Sequence, residues 1–110
     1  MENFLRAKAH YLARLISARR NIVVWGAGMT GRRLSKHLLR EGLQIEAVVD
    51  IDPRKIGRAM RGLPIVPPHY LERKDAFVVT AVSSLGARGL IRERLKAMGK
   101  REGEDFVCAA

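Results

Sequence analysis

Three glycines spaced Gly26-x-Gly28-x-x-Gly31 are the residues of this 110-residue sequence whose types and spacing point most directly to chemistry. They follow the apolar run Ile22-Val23-Val24-Trp25 and open a helical pattern, the context in which the spacing becomes specific for phosphate. Each glycine has its own task. The first permits a tight turn, the second lets backbone approach a pyrophosphate, and the third lets the helix pack closely on the strand. Free N–H groups at the helix start, backed by the positive end of its dipole, would then bind the phosphate. The whole turn, Gly26, Ala27, Gly28, Met29, Thr30 and Gly31, with Arg32 behind it, is therefore the candidate phosphate site.

Asp50 stands about 20 residues further on, at the end of a second apolar run, where a carboxylate accepts hydrogen bonds from a ribose diol. Ile51 and Asp52 follow it and complete that side of the candidate pocket. Ser83 and Ser84 leave a later strand and face the same crevice, forming its second wall. Arg32 and Arg33 in the first turn of the helix oppose its dipole unless an anion is bound there. Arg54, Lys55, Arg58 and Arg61 offer positive charge for an extra phosphate, as on NADP or coenzyme A, but Asp50 would repel a 2′-phosphate, so a ligand without one is favoured.

Other patterns explain less. Asp50-Ile51-Asp52 has the spacing of a metal-binding acidic pair, yet Asp52 before Pro53 reads better as a helix N-cap. Tyr70 and Lys74 match the Tyr-x-x-x-Lys spacing of short-chain dehydrogenases but follow the glycine turn too closely. His10, His37 and His69 are scattered, and no metal site or catalytic constellation emerges from them.

The elements that must position these residues alternate. Residues 3 to 18 form an amphipathic leading helix, with Phe4, Leu5, Tyr11, Leu12, Leu15 and Ile16 at helical spacing. Strands are expected over Ile22–Trp25, Leu43–Asp50, Gly62–Val66, Ala76–Val82 and Phe106–Ala109. The third carries Pro64 and is placed at the sheet edge, where a missing N–H is tolerated. Helices are expected after the glycine turn, with Leu34, Leu38 and Leu39 on its apolar face, and over Ala87–Met98, with Leu90, Ile91, Leu95 and Met98 facing inward. A short turn covers Pro53 to Ile56 and another begins at Pro67-Pro68. Glycines at 42, 57 and 99 close the turns and helices. This alternation predicts an α/β fold of Rossmann type: three layers, with a five-stranded parallel sheet of order 3-2-1-4-5 and the leading helix as an extra element. Residues 1 to 20 read as that helix or a connector, with a boundary near Arg19-Arg20-Asn21, and 21 to 110 as the nucleotide-binding domain.

Composition narrows the class. With 47% hydrophobic residues one core is expected. No apolar run approaches the ~18 residues of a membrane span, and the basic residues spread through the first 20 positions argue against a secretory signal. A single cysteine, Cys108, fits a reduced, cytoplasmic compartment and is expected in the core. The net charge of +10 makes anionic partners plausible, but aromatics are 5% of the chain and form no base-stacking pattern, so nucleic acid is disfavoured.

From Ile22 to Cys108 the chain resembles a Rossmann-like module at the carboxyl end of some bacterial family-2 glycosyltransferases. The matching pieces are Trp25-Gly26-Ala27-Gly28-x-x-Gly31-Arg32, Val49 to Gly57, Gly62 to Val66 and Glu102 to Phe106. More distantly it is similar to the nucleotide-binding lobe of sugar-pathway acyltransferases. The resemblance implies association with glycan assembly and a glycosyltransferase catalytic domain as partner, with Gly26, Gly28, Gly31 and Asp50 as binding positions. The chain lacks such a catalytic domain and is not expected to transfer sugar alone.

The first functional expectation is thus a non-catalytic nucleotide or dinucleotide module, its ligand NAD or a nucleotide-sugar ahead of coenzyme A or S-adenosylmethionine. An NAD-dependent oxidoreductase fragment is the alternative, and a basic nucleic-acid-binding domain the third. Phe4, Tyr11, Leu12, Leu15 and Ile16 offer more apolar surface than one sheet face needs, which predicts a homodimer.

Overall fold

The computed structural model describes residues 2–16 and 20–109. Ser17 and Arg19, at the expected helix end and boundary, lie outside them. Helix α1 runs Glu2–Leu15. Strand β1 (Ile22–Trp25) leads through the glycine turn to α2 (Met29–Arg40), and β2 (Ile45–Val49) follows. A hairpin of β3 (Ala59–Met60) and β4 (Leu63–Val66), a 3-10 turn at Pro68–Leu71, β5 (Phe77–Thr80), α3 (Leu85–Ala97) and β6 (Phe106–Cys108) complete the chain.

The fold is α/β and Rossmann-like, but the sheet is mixed. It has six strands in the order β3-β4-β2-β1-β5-β6, where five parallel strands were expected. The added member is β3, antiparallel to β4, with Ala59 opposite Pro64 and Met60 opposite Leu63. Arg61 and Gly62 both have positive φ (52° and 78°), the two-residue turn geometry whose twist matches a tight hairpin. The expected edge position of the Pro64 strand is accordingly corrected: β3 lies outside it. Proline is tolerated because the parallel ladder with β2 begins one residue later, at Val48 opposite Ile65.

β1 is central, paired in parallel with β2 and β5. Its β-branched residues are fully buried on both faces. Leu5, Ala9 and Leu12 of α1, with Ile16 just after it, pack with Leu34 and Leu38 of α2 on one face. Ile91 and Leu95 of α3 pack with Val23, Trp25, Leu71, Val78 and Phe106 on the other. Because Leu12 and Ile16 belong to the core, they are not surface for a partner; the exposed apolar residues of α1 are Phe4, Tyr11 and Leu15. Two further expectations are corrected on the helices. Leu90 is exposed, because on α3 it lies one residue off the buried Ile91–Leu95 row, and Leu39 of α2 is partly exposed for the same reason beside Leu38. Cys108, expected in the core, is half-buried on the edge strand β6, where only β5 flanks it.

Arg20 closes the end of the sheet opposite the glycine turn. Its guanidinium donates to the Glu104 carbonyl at 2.7 Å and to the Asp105 carboxylate at 3.0 Å, and lies 5.5 Å from the Phe77 ring centroid. The Arg101 backbone N–H, 2.8 Å from Asp105, and the Arg20 guanidinium hold the Asp105 carboxyl down at about 2.

Candidate functional site

The glycine turn is built by three unlike constraints. Gly26 has φ +130°, and a Cβ there would stand 2.8 Å from the Ala81 carbonyl oxygen, so the turn presses on the end of β5. A Cβ on Gly31 would stand 1.8 Å from the Gly26 carbonyl oxygen, because the first turn of α2 rests on the turn itself. Gly28 differs: a Cβ there would meet nothing within 4 Å. Its freedom is on the side of the cleft it lines.

Gly28 is also the N-cap of α2, and Arg32 N–H is the first in that helix to find an acceptor, the Gly28 carbonyl at 2.9 Å. The N–H groups of Met29, Thr30 and Gly31 have none among the described residues. Unpaired donors at the positive end of a helix can bind an anion. α3 starts at the same edge of the sheet, capped by Ser84, whose Oγ accepts from Ala87 N–H at 3.4 Å.

Asp50 bridges this edge. One carboxylate oxygen accepts from Ala27 N–H at 2.8 Å and the other from Asp52 N–H at 2.9 Å. It therefore ties the glycine turn to the loop after β2, and each oxygen keeps a lone pair for a hydroxyl donor.

Between these elements lies a cleft of about 660 Å³ at the carboxyl ends of β1, β2 and β5. It brings together Gly26, Gly28, Met29, Thr30, Asp50, Ile51 and Ser83 of the expected positions. Ala27, Gly31, Arg32, Asp52 and Ser84 stand behind the lining. Ala27 gives its N–H to Asp50, and Gly31 is packed under the turn. Arg32 is exposed and its carbonyl accepts from Arg61 Nε at 2.8 Å. Asp52 accepts from Arg54, whose side chain lowers the Asp52 pKa. Ser84 serves the α3 cap.

Sequence reasoning did not place Trp25, Val82 or the α3 row Ala87, Leu90, Ile91 and Arg94 at the site, yet all of them line the cleft, as does Lys55, one of the four basic residues weighed for an extra phosphate. The α3 row was legible in part, since positions i, i+3, i+4 and i+7 share one helix face. What was not legible is that this face reaches beyond the core. Met29, Ile51 and Leu90 are each about two-thirds exposed here (66, 68 and 69%), an apolar surface gathered around one cleft.

Tyr70 and Lys74 do come together, but around Glu46 rather than the cleft. The Tyr70 hydroxyl donates to the Glu46 carboxylate, and Lys74 Nζ lies 3.4 Å from the same oxygen and 4.7 Å from the Tyr70 ring centroid. The bond to Glu46 raises the Tyr70 pKa, opposite to what a proton-abstracting tyrosine needs. Glu46 precedes Asp50 by four strand positions, about 13 Å. The cluster is a structural tie. His10 and His37 pair separately with Glu41 and Glu2, and no group of metal-ligating side chains forms among the described residues.

A family model described as C2185-like, N-terminal, matches residues 18–104. The chain belongs to this family. Among solved structures, the chain is similar to RSP, a Rex-family repressor, in complex with beta-NADH: TM-score 0.64, 16% identity, covering 90% of this chain and 57% of that one. RSP bound to beta-NAD+ and operator DNA matches equally well in TM-score, with 54% of its chain covered. UDP-D-quinovosamine 4-dehydrogenase from Vibrio fischeri matches with TM-score 0.60 and 28% identity over 72% of this chain and 71% of that one. The C2185-like chain thus spans little more than half the length of the repressor chains it resembles. No curated protein sequence matches it. These likenesses agree with the Rossmann-like fold described above. No helix among the described residues is long and apolar enough to cross a membrane.

Proposed function

We propose that this C2185-like chain is a non-catalytic module that binds a nucleotide diphosphate, with NAD(H) the favoured ligand, in the cleft at the start of α2. The observation that carries the reading is the open side of Gly28 next to three unpaired N–H groups, a space bounded by backbone donors that an anion could occupy and that a side chain at position 28 would fill instead. Asp50 would take the ribose hydroxyls, and Ile51, Val82, Leu90 and Ile91 would cover a base. The binding of beta-NADH and beta-NAD+ by RSP supports NAD(H) as the ligand. We assign the module to glycan assembly, as an accessory part of a glycosyltransferase; the sequence resemblance and the likeness to a UDP-sugar dehydrogenase support that context. A dehydrogenase reading is less favoured, because the Tyr70–Lys74 pair is remote from the cleft.

Calorimetric titration with NADH, NAD+, a UDP-sugar, coenzyme A and S-adenosylmethionine tests the proposal. NADH or NAD+ should bind and Gly28→Val should abolish binding while circular dichroism stays unchanged. Silence from all five ligands at millimolar concentration removes the reading. NADH formation in the presence of a nucleotide-sugar would replace it with the oxidoreductase alternative.

A further inference from the structure

Helix α1 carries two apolar stripes, and only one of them is used. Leu5, Ala9, Leu12 and Ile16 are buried, whereas Phe4, Tyr11 and Leu15 are 55, 56 and 60% exposed. At 3.6 residues per turn these three fall within about 40° of one another, roughly 110° around the helix from the buried stripe, in a line about 16 Å long. Basic groups border that line. Lys8 Nζ stands 6.0 Å from the Tyr11 ring centroid, and His10 and Arg14 share a shallow groove with Tyr11 and Leu15.

The charge around this stripe is of one sign. No Asp or Glu occurs between Glu2 and Glu41, a stretch that includes the rest of α1 and all of α2. Both of those carboxylates are already paired, Glu2 with Lys36 and His37, Glu41 with His10. Arg6, Arg14, Arg32, Arg33 and Arg40 remain exposed on the same two helices without a carboxylate partner among the described residues. A helix with an exposed aromatic and aliphatic line flanked by Lys and Arg suits a surface that is apolar just below a layer of negative charge. A second copy of this chain would bring like charge against like. Nucleic acid would engage the arginines but gives Leu15, which has no ring to stack on a base, nothing to contact.

We propose that the outer face of α1 docks on an anionic lipid bilayer, with Phe4, Tyr11 and Leu15 entering the headgroup boundary and Lys8 and Arg14 beside them facing lipid phosphates. None of these three residues lines the nucleotide cleft, so the docking is independent of the ligand reading.

Co-sedimentation of the full chain with phosphatidylcholine vesicles, with and without phosphatidylglycerol, tests it. Binding is expected only to the anionic vesicles and should weaken as salt rises. Phe4→Ser with Leu15→Ser should lower the partition coefficient about tenfold or more. Lys8→Gln and Arg14→Gln should each lower it about fivefold. Circular dichroism on each variant confirms that the exposed substitutions leave the fold intact. Failure to sediment with anionic vesicles at low salt overturns the proposal. So does binding that is indifferent to Phe4→Ser and Leu15→Ser, or a dimeric mass by light scattering that those two substitutions dissolve.

Discussion

Adding a single methyl group at Gly31 and three carbons at Gly28 should have opposite consequences, although both glycines belong to one motif. At Gly31 the new Cβ would lie 1.8 Å from the Gly26 carbonyl oxygen, so α2 and the turn must part by about 1.5 Å to reach ordinary contact. The oxygen is backbone, held in a turn whose Gly26 N–H donates to the Val49 carbonyl at 2.8 Å, and no side-chain rotation relieves the clash. Overpacking of this kind costs about 1–3 kcal/mol, and with two backbones in collision the upper end, about 3 kcal/mol, is the expectation. For a domain of this size that lowers Tm by about 12–24 °C. At Gly28, φ is −86° and the space is open, so Gly28→Val costs the fold less than about 1 kcal/mol, mainly through the poorer N-cap. Its side chain would instead fill the space proposed for phosphate. Thermal melts of both variants with parallel calorimetric titration of NADH separate the effects. A Gly31→Ala protein that melts within about 4 °C of the parent would refute the packing argument, and a Gly28→Val protein that binds NADH normally would refute the placement of the phosphate.

Four further outcomes follow from the same geometry. Asp50→Ala removes the acceptor of two backbone N–H groups, so both a loss of about 1.5–3 kcal/mol in denaturant melts and loss of NADH binding are expected, whereas a purely ligand-binding role would leave stability unchanged. Asp105, with its carboxyl held down at about 2, contributes stability that is complete above the unfolded value near 4 and is lost as pH falls from there through 2; Asp105→Asn should flatten acid denaturation in that window. Tyr70→Phe should cost about 1 kcal/mol of stability and leave nucleotide affinity unchanged, and a fall in affinity would show that the Glu46 cluster reaches the cleft. Leu12→Asp should unfold the protein while Phe4→Asp leaves it folded, by circular dichroism, because the first side chain is 2% exposed and the second 55%.

Local pattern alone determined a good deal. The β-branched run at Ile22–Trp25 read as a buried parallel strand because nothing polar interrupts it, and the run at Ala76–Val82 read as a further strand, of which Phe77–Thr80 forms β5; both are flanked by strands on each side. Glycines 42, 57 and 99 read as terminators because a residue without Cβ adopts positive φ at no steric cost, and each has positive φ in the fold. The glycine turn and Asp50 were legible as a unit because their spacing encodes one strand, one helix and one more strand. Tertiary structure decided the rest. The hairpin at Arg61-Gly62 was missed because a two-residue strand carries no periodicity, and it is the hairpin that takes Pro64 off the sheet edge. Leu90 and Ile91 are adjacent apolar residues on one helix, and composition cannot say which faces the core; the approach of α3 to β1 and β5 buries Ile91 and leaves Leu90 on the cleft. Likewise Leu12, Ile16, Phe4 and Leu15 all read as apolar helix surface, and only the rotation of α1 against α2 and the sheet sorts them into core and exposed stripe. Sequence sets the direction of each side chain relative to its own backbone, but what stands opposite it is set by packing between segments distant along the chain.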